Sequence, residues 1–342
     1  MARPPQELRL GTRGSQLALW QARAAAARIA EAGGPPCRVV IIKTTGDSLV
    51  DRPLSEAGGK RLFVKEIEDA LLRHEIDLAV HSSKDMPAVL PDGLTIAGVL
   101  PREDPLDAVV LPVRAHSGLR AEGSGLNQAL SPQPSALDRL VATLGPSPSI
   151  GTGSVRRVAQ LSRVFAGARF APIRGNLDTR IRKLDAGDPG DPGSYDALVL
   201  AAAGLRRLGM ASRISMTVPA SACVPAPGQG IVAIEIREDD DAVGRIVRRI
   251  GDADAGAALE AERALVETLG GGCQTPIGAL ASCVDADTLE LVAAVAALDG
   301  SRIVRASERG PRRDAAALGA RVGRRLIAQG ADAILAEAQS RA

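Results

Sequence analysis

Aromatic residues are nearly absent from this 342-residue chain, which has one tryptophan, one tyrosine and three phenylalanines. Single strands of nucleic acid are held on aromatic stacking platforms, so that class of partner is disfavoured. No run of about 18 apolar residues occurs, so no transmembrane span and no membrane partner are expected. The opening Met1-Ala2-Arg3-Pro4-Pro5-Gln6-Glu7 holds no apolar signal core, and the expected compartment is the cytoplasm. The four cysteines, Cys37, Cys223, Cys273 and Cys283, form no CxxC pair. Neither a zinc site nor a disulfide framework is suggested, and no metal is expected. Lysine is scarce as well. Of 42 basic residues five are lysines (Lys43, Lys60, Lys65, Lys84 and Lys183), so 37 are arginines. The formal net charge is only +2, and bulk charge therefore implies no nucleic-acid partner.

What is present fits a soluble globular protein of two or three domains, 45% hydrophobic and 24% charged. Strands are expected at 8–12, 38–44, 78–81 and 94–100, and helices at 17–30 and 62–73, with Ser15 placed to cap the first. The 38–44 strand is β-branched and apolar and is expected to be buried. A polar, glycine-containing loop fills 45–60. A second alternating block has strands at 107–111, 149–152, 169–173 and 197–201 and helices at 155–165 and 178–185. Residues 112–135 and 188–194, rich in small and turn-forming residues, read as surface insertions. After a strand at 231–236 and a helix at 257–268, three strands at 277–283, 289–298 and 303–307 form a meander. Helices at 313–329 and 331–340 finish the chain. The fold class is α/β, with a small C-terminal α+β domain built on a three-stranded antiparallel sheet.

One loop stands out: Gly270-Gly271-Gly272-Cys273-Gln274-Thr275-Pro276. Glycine lets bulky groups approach closely, and proline stiffens the exit. The loop holds one thiol at a fixed place after a helix. Read alone, it is equally a helix end followed by a small buried cysteine. The segment His81-Ser82-Ser83-Lys84-Asp85-Met86-Pro87 lies at the carboxyl end of a strand, where open α/β sheets bind ligands. A Lys–Asp surface pair is its plainer reading, and His81 reads as a half-buried strand histidine. In Gly151-Thr152-Gly153-Ser154-Val155-Arg156-Arg157, hydroxyls and backbone N–H groups meet at a helix start, a natural anion site. Two arginines there oppose the helix dipole, which suggests an anionic partner. The alternative is a solvated helix start in an arginine-rich chain. Arg13, Arg174, Arg180, Arg206 and Arg207 also sit at expected strand ends. Together these groups describe a cleft for many carboxylates or phosphates, gripped by guanidinium forks. Neither GxxxxGK[ST] nor a GxGxxG after a strand occurs, so nucleotides are poor candidates.

These residues resemble the porphobilinogen deaminase (hydroxymethylbilane synthase) family. The likeness runs through Thr12-Arg13-Gly14-Ser15-Gln16-Leu17-Ala18-Leu19-Trp20-Gln21, Gly58-Gly59-Lys60, Phe63-Val64-Lys65-Glu66, the segments 80–87, 152–157, 174–180 and 203–209, Arg102-Glu103-Asp104-Pro105, Pro227-Gly228-Gln229-Gly230 and Gly271-Gly272-Cys273-Gln274. The resemblance implies two domains like a type II periplasmic binding protein, around a cleft, plus a third. Domain 1 would be 1–105 and 231–248, domain 2 would be 106–230 and 253–270, and domain 3 would be 271–342. It implies a dipyrromethane cofactor attached covalently at Cys273, and Asp85 as the catalytic carboxylate. Lys84, Asp85, Thr152, Ser154, Arg156 and Arg157 would bind the cofactor. Arg13, Ser15, Arg174, Arg180 and Arg207 would bind porphobilinogen, with Lys60 and Phe63 on a loop over the cleft. The implied reaction condenses four porphobilinogen molecules head to tail with loss of ammonia, then hydrolyses the chain to a linear tetrapyrrole; a monomer is expected. Glu56 stands where some members of the family carry lysine, and Gly153 where serine is frequent. A non-catalytic anion-binding protein on the same two-lobed frame is the alternative, but it leaves the Cys273 loop and the third domain unexplained.

Overall fold

The computed structural model describes residues 6–48, 63–113, 135–187, 193–272 and 275–340. In chain order the first block is β1 (Leu8–Thr12), α1 (Gln16–Glu31), β2 (Cys37–Ile41), α2 (Thr45–Ser48), α3 (Lys65–Leu72), β3 (Leu78–Ser82) and β4 (Leu94–Val99). The second is β5 (Asp107–Val110), α4 (Ala136–Leu144), β6 (Ser149–Gly151), α5 (Val155–Leu161), β7 (Arg169–Ala171), α6 (Leu177–Ala186), β8 (Ala197–Ala201), α7 (Ala202–Arg207) and β9 (Met216–Val218). Then come β10 (Val232–Arg237), α8 (Asp241–Arg248), α9 (Ala253–Thr268), β11 (Ile277–Cys283), β12 (Thr288–Ala296), β13 (Ile303–Pro311), α10 (Ala315–Ala328) and α11 (Ala331–Ser340).

Three sheets result, ordered β2-β1-β3-β10-β4, β7-β6-β8-β5-β9 and β11-β12-β13. The two five-stranded sheets share one plan. Each has a single strand antiparallel to both its neighbours, β10 in the first and β5 in the second. Each of those strands arrives from the other sheet's block. β5 follows β4 but completes the second sheet, and β10 follows β9 but returns to the first. Residues 100–106 and 219–231 are thus the two crossings between lobes. The third sheet is a plain antiparallel meander.

Apolar residues cover both faces of each five-stranded sheet. Leu10, Val80 and Ile234 pack under α1 and α8, while Ile67 and Leu71 of α3 pack on Ala79 from the other face. Ser15 caps α1 by accepting from the Ala18 N–H at 3.3 Å, as the sequence suggests. Helix α1 buries Ala18, Ala22, Ala25 and Ile29 at helical spacing, so small side chains let it lie close on the sheet.

Three expectations change. The 38–44 strand, expected to be buried, is the sheet edge; β2 pairs only with β1, and Ile41 is 60% exposed. An apolar run says nothing about how many neighbours a strand has. Helix α9, expected with domain 2, belongs with the C-terminal sheet. Its Ala258, Ala261, Leu265 and Val266 share a core with Ile277, Leu291, Leu318 and Val322. A Cβ on Gly319 of α10 would lie 2.1 Å from the Ala261 carbonyl oxygen, so the two helix backbones touch there. Finally, α4, α7, α8 and β9 were not anticipated, and α2 opens the expected 45–60 loop as a short helix, although a capping box between Ser135 and Asp138 marks the start of α4. Of the two expected insertions, 114–134 and 188–192 lie outside the described residues.

Candidate active site

A cleft of about 960 Å³ opens between the two five-stranded lobes, with the third domain forming part of its wall. The first lobe contributes Arg13, Ser15, Phe63, Lys84 and Asp85. The second contributes Ser154, Arg156, Arg157, Arg174, Arg180 and Arg207. The third domain contributes Arg263, Gly272 and Thr275. Residues expected to act together from positions 13 to 207 therefore share one cavity. Thr152 does not line it: the residue is buried, and its hydroxyl accepts from the Ser154 N–H at 3.4 Å. Lys60, Glu56 and Cys273 lie outside the described residues, but Gly272 and Thr275, on either side of 273–274, face the cleft.

The carboxylate turn comes directly off β3. Ser83–Asp85 form one 3-10 turn, closed by Met86 N–H to the Ser83 carbonyl at 3.1 Å. The Ser83 N–H donates to the Ile231 carbonyl at 3.0 Å, tying the turn to the second crossing. Gly228, at φ +72°, brings that crossing so close that a Cβ there would lie 2.6 Å from Ser83 Oγ. Ser83 Oγ itself is buried and has no partner among the described residues. Beside it, Gln21 Nε2 donates to Ser82 Oγ at 2.8 Å. His81 is buried at 3.0 Å from the equally buried Glu235, in keeping with a strand histidine.

Charge in the cleft is lopsided. Lys84, Arg174, Arg180 and Arg207 have no carboxylate at ion-pair distance among the described residues. Burial pushes the Lys84 ammonium down to about 8, against the pull of Asp85. Burial likewise brings Arg180 down to about 10, helped by Arg157 and opposed by Asp85. Arg180 Nε donates to the Gly175 carbonyl at 2.8 Å, and an Arg207 terminal nitrogen donates to the Gly230 carbonyl at 2.6 Å. Lys84, Arg174, Arg180 and Arg207 are half-buried, and a ligand that brings carboxylates would offset the cost of desolvating them. The Arg207 guanidinium also stands 5.5 Å from the ring of Trp20, linking α7 of one lobe to α1 of the other.

Arg13 differs, because it already holds a carboxylate. It grips Asp47 at 2.5 Å and lies over the Phe63 ring at 4.3 Å. Burial tends to raise the Asp47 carboxyl, but the Arg13 hydrogen bonds outweigh it and leave it lowered.

Arg156 and Arg157 depart further from expectation. Their anionic partner is the chain's own Asp107, fully buried at the start of β5. Arg156 donates to Asp107 Oδ2 at 2.8 Å and to the Val224 carbonyl at 2.8 Å. Arg157 Nε donates to Asp107 Oδ1 at 2.9 Å, and Gln229 Nε2 reaches the same oxygen at 2.9 Å. Burial alone would raise the Asp107 carboxyl; the two guanidiniums outweigh it and hold it well below the usual carboxylate range. The dipole argument asked for an anion, and the fold supplies it 49 residues before Arg156. Cys223 abuts the cluster, with Sγ 3.2 Å from an Arg156 nitrogen, and burial pushes its thiol up to about 12. Burial also pushes Cys37 up to about 11.

Sequence reading missed Asp47, Asp107, Gln229, Glu262 and Arg263. A signal existed for two of them. Asp107 opens the otherwise apolar run Asp107-Ala108-Val109-Val110, and Glu262 falls on the apolar stripe of α9 between Leu259 and Leu265. A charge on a buried face needs a partner. Glu262 has three: it accepts from Gly228 N–H at 2.5 Å, Ala281 N–H at 2.7 Å and Arg102 at 2.6 Å. One carboxylate thereby fastens both crossings to the third domain.

Known proteins resemble this chain over nearly its whole length. Residues 8–245 match the family model described as "Porphobilinogen deaminase, dipyromethane cofactor binding domain", and residues 257–328 match "Porphobilinogen deaminase, C-terminal domain". The porphobilinogen deaminase of Syntrophobacter fumaroxidans is 42% identical over 332 residues, covering 96% of this chain and 97% of the relative. That of Bordetella parapertussis is 44% identical over 334 residues, covering 97% and 96%. Among solved structures, the methionine-binding protein MetQ is similar over 72% of this chain and 90% of its own, at 12% identity and TM-score 0.41, too distant a likeness to bear on function.

Proposed function

The chain belongs to the porphobilinogen deaminase family, and on that premise we propose that Cys273 holds the cofactor, Asp85 carries the chemistry and the unpaired cleft cations hold the carboxylate arms. The enzyme is a transferase. It condenses four porphobilinogen molecules head to tail on a covalently bound dipyrromethane, releases ammonia each time, and frees the linear tetrapyrrole by hydrolysis. Lopsided charge is the observation that carries the site assignment. Four cations with no carboxylate at ion-pair distance among the described residues share a cavity with the Asp85 turn, and the substrate brings an acetate and a propionate on every ring.

The cleft suits the dipyrromethane on the same ground. Lys84, Arg174 and Arg180 offer charge, and Ser83 Oγ is a buried hydroxyl with no partner among the described residues. When bound, that group supplies the free pyrrole position to which new rings are added. Gly272 and Thr275 face the cavity, which supports attachment at the intervening Cys273. None of Cys37, Cys223 and Cys283 lines it.

Asp85 acts on the incoming substrate. When the aminomethyl C–N bond breaks, the electron pair leaves with nitrogen as ammonia, and positive charge develops around the pyrrole N–H. A carboxylate facing that N–H stabilises the charge and moves a proton there. Lys84, Arg174, Arg180 and Arg207 orient the acidic arms. Arg13 does so by exchanging Asp47 for a substrate carboxylate. Arg156 and Arg157 act one step removed, by fixing the cleft floor through Asp107. Among the described residues no helix is long and apolar enough to cross a membrane, and we read the enzyme as a cytoplasmic monomer.

The test is intact mass of the denatured protein. Wild type from cells that make porphobilinogen should exceed its sequence mass by two linked pyrrole rings, and Cys273→Ala should not. After mixing with limiting porphobilinogen, wild type should show a ladder spaced by one ring. Leucine at Arg174 or Arg180 should shorten the ladder. A full ladder in both variants would reduce these arginines to a diffuse field, and an unmodified wild type would remove Cys273 from its role.

A further inference from the structure

We propose that Arg263, on α9 of the third domain, is a positioning residue for Asp85. The inference rests on the reading that Asp85 carries the chemistry. Arg263 donates through one terminal nitrogen to the Pro87 carbonyl at 2.8 Å and through the other to the Ala88 carbonyl at 2.6 Å. Those two carbonyls follow the Ser83–Asp85 turn after the single residue Met86. A planar guanidinium that spans two consecutive carbonyls fixes both the place and the direction of a backbone segment.

The rest of the turn is held in the same manner. β3 fixes its start, and Ser83 is bound to the second crossing. Met86 is buried against Ala255 and Leu259, two turns and one turn before Arg263 on α9. Arg263 therefore supplies the last fixed point, and it comes from the helix that leads into the Cys273 loop. Its neighbour Glu262 anchors the same helix to both crossings. Through α9, the element that presents the cofactor cysteine and the turn that presents Asp85 are held in one frame. Without Arg263, the two carbonyls and the turn they follow lose their clamp.

The experiment compares Arg263→Met, Arg263→Lys, Asp85→Asn and the double variant Arg263→Met/Asp85→Asn. Intact mass first establishes cofactor loading. Rapid-mixing mass spectrometry then gives the rate of the first ring addition as a function of porphobilinogen concentration. Deuterium exchange over residues 82–90 reports the turn itself. Arg263→Met should be loaded, exchange faster over 82–90, and lose about tenfold or more in saturating rate, since a misplacement of about 1 Å can cost about a hundredfold. The half-saturating concentration should stay within about twofold of the parent. Arg263→Lys should recover part of the rate, as one ammonium can hold one carbonyl. In the Asp85→Asn background, Arg263→Met should add little, because a group that acts through Asp85 has nothing left to position. A saturating rate within twofold of the parent, or losses that multiply in the double variant, would overturn the proposal. If Arg263→Met fails to load, Arg263→Lys carries the same test, and failure of both to load would assign Arg263 to assembly instead. A fully active Asp85→Asn would refute the reading of Asp85 alone.

Discussion

Asp85→Asn should lower turnover about a hundredfold or more while the protein folds and keeps its dipyrromethane. That scale is typical when a group stabilising transition-state charge is removed. Asparagine keeps the size and one acceptor oxygen but neither the negative charge nor the ability to hold a proton. The turn should survive, because its fixed points are backbone contacts to Ile231 and Met86 and the packing of Met86. A second consequence separates this from general damage. Asp85 raises the Lys84 pKa, opposing the burial that brings it to about 8. Without Asp85, Lys84 loses its proton at a lower pH. The residual activity of the variant should therefore fade at lower pH on the alkaline side than that of the parent. Steady-state rates across neutral to mildly alkaline pH check both parts; near-parent activity would take Asp85 out of the mechanism.

Asp107→Asn should cost about 3–5 kcal/mol of stability, the range found when one partner of a buried ion pair is removed. Arg156 and Arg157, at side-chain exposures of 3% and 7%, would remain buried without the one carboxylate each pairs with among the described residues. The sign of the pH dependence follows from the lowered Asp107 carboxyl. Its contribution is complete above the unfolded value of about 3.9 and is lost as pH falls through the lower folded value. Chemical denaturation should thus show a large gap between parent and variant at neutral pH, closing in strong acid. Equal stability at neutral pH would mean that water, not Asp107, satisfies the two arginines. A loading defect is expected as well, because Asp107, Gln229 and Val224 tie the cleft floor to the second crossing.

Local pattern carried most of the fold. β1, β3, β8, β10 and the C-terminal meander stand where apolar alternation and turn residues put them, because each is decided by its own few residues. Sequence could not say what a buried face packs against. The stripe on α9 was visible, but its partner Gly319 lies more than 50 residues on, so its domain was misassigned. The site divides along the same line. The shared cleft position of Arg13, Lys84, Asp85, Arg174, Arg180 and Arg207 was legible because strand-end loops in α/β sheets converge on one crevice. The buried counter-ion of Arg156 and Arg157 was not, since counter-ion choice depends on which strand lies alongside. Asp107 becomes their neighbour only because β5 crosses from one lobe to the other.

That crossing also bears on how the chain is made. The first lobe's sheet lacks its fourth strand until residues 232–237 are available, since β10 lies between β3 and β4. The second lobe needs nothing beyond β9, as β5 through β9 are contiguous. During synthesis from the N-terminus, the later lobe can therefore close first, while β4 waits with an open edge. Unpaired edges are where chains associate wrongly. The emerging polypeptide is most at risk between the appearance of β4 and that of β10, and the lobe encoded first is the one completed last.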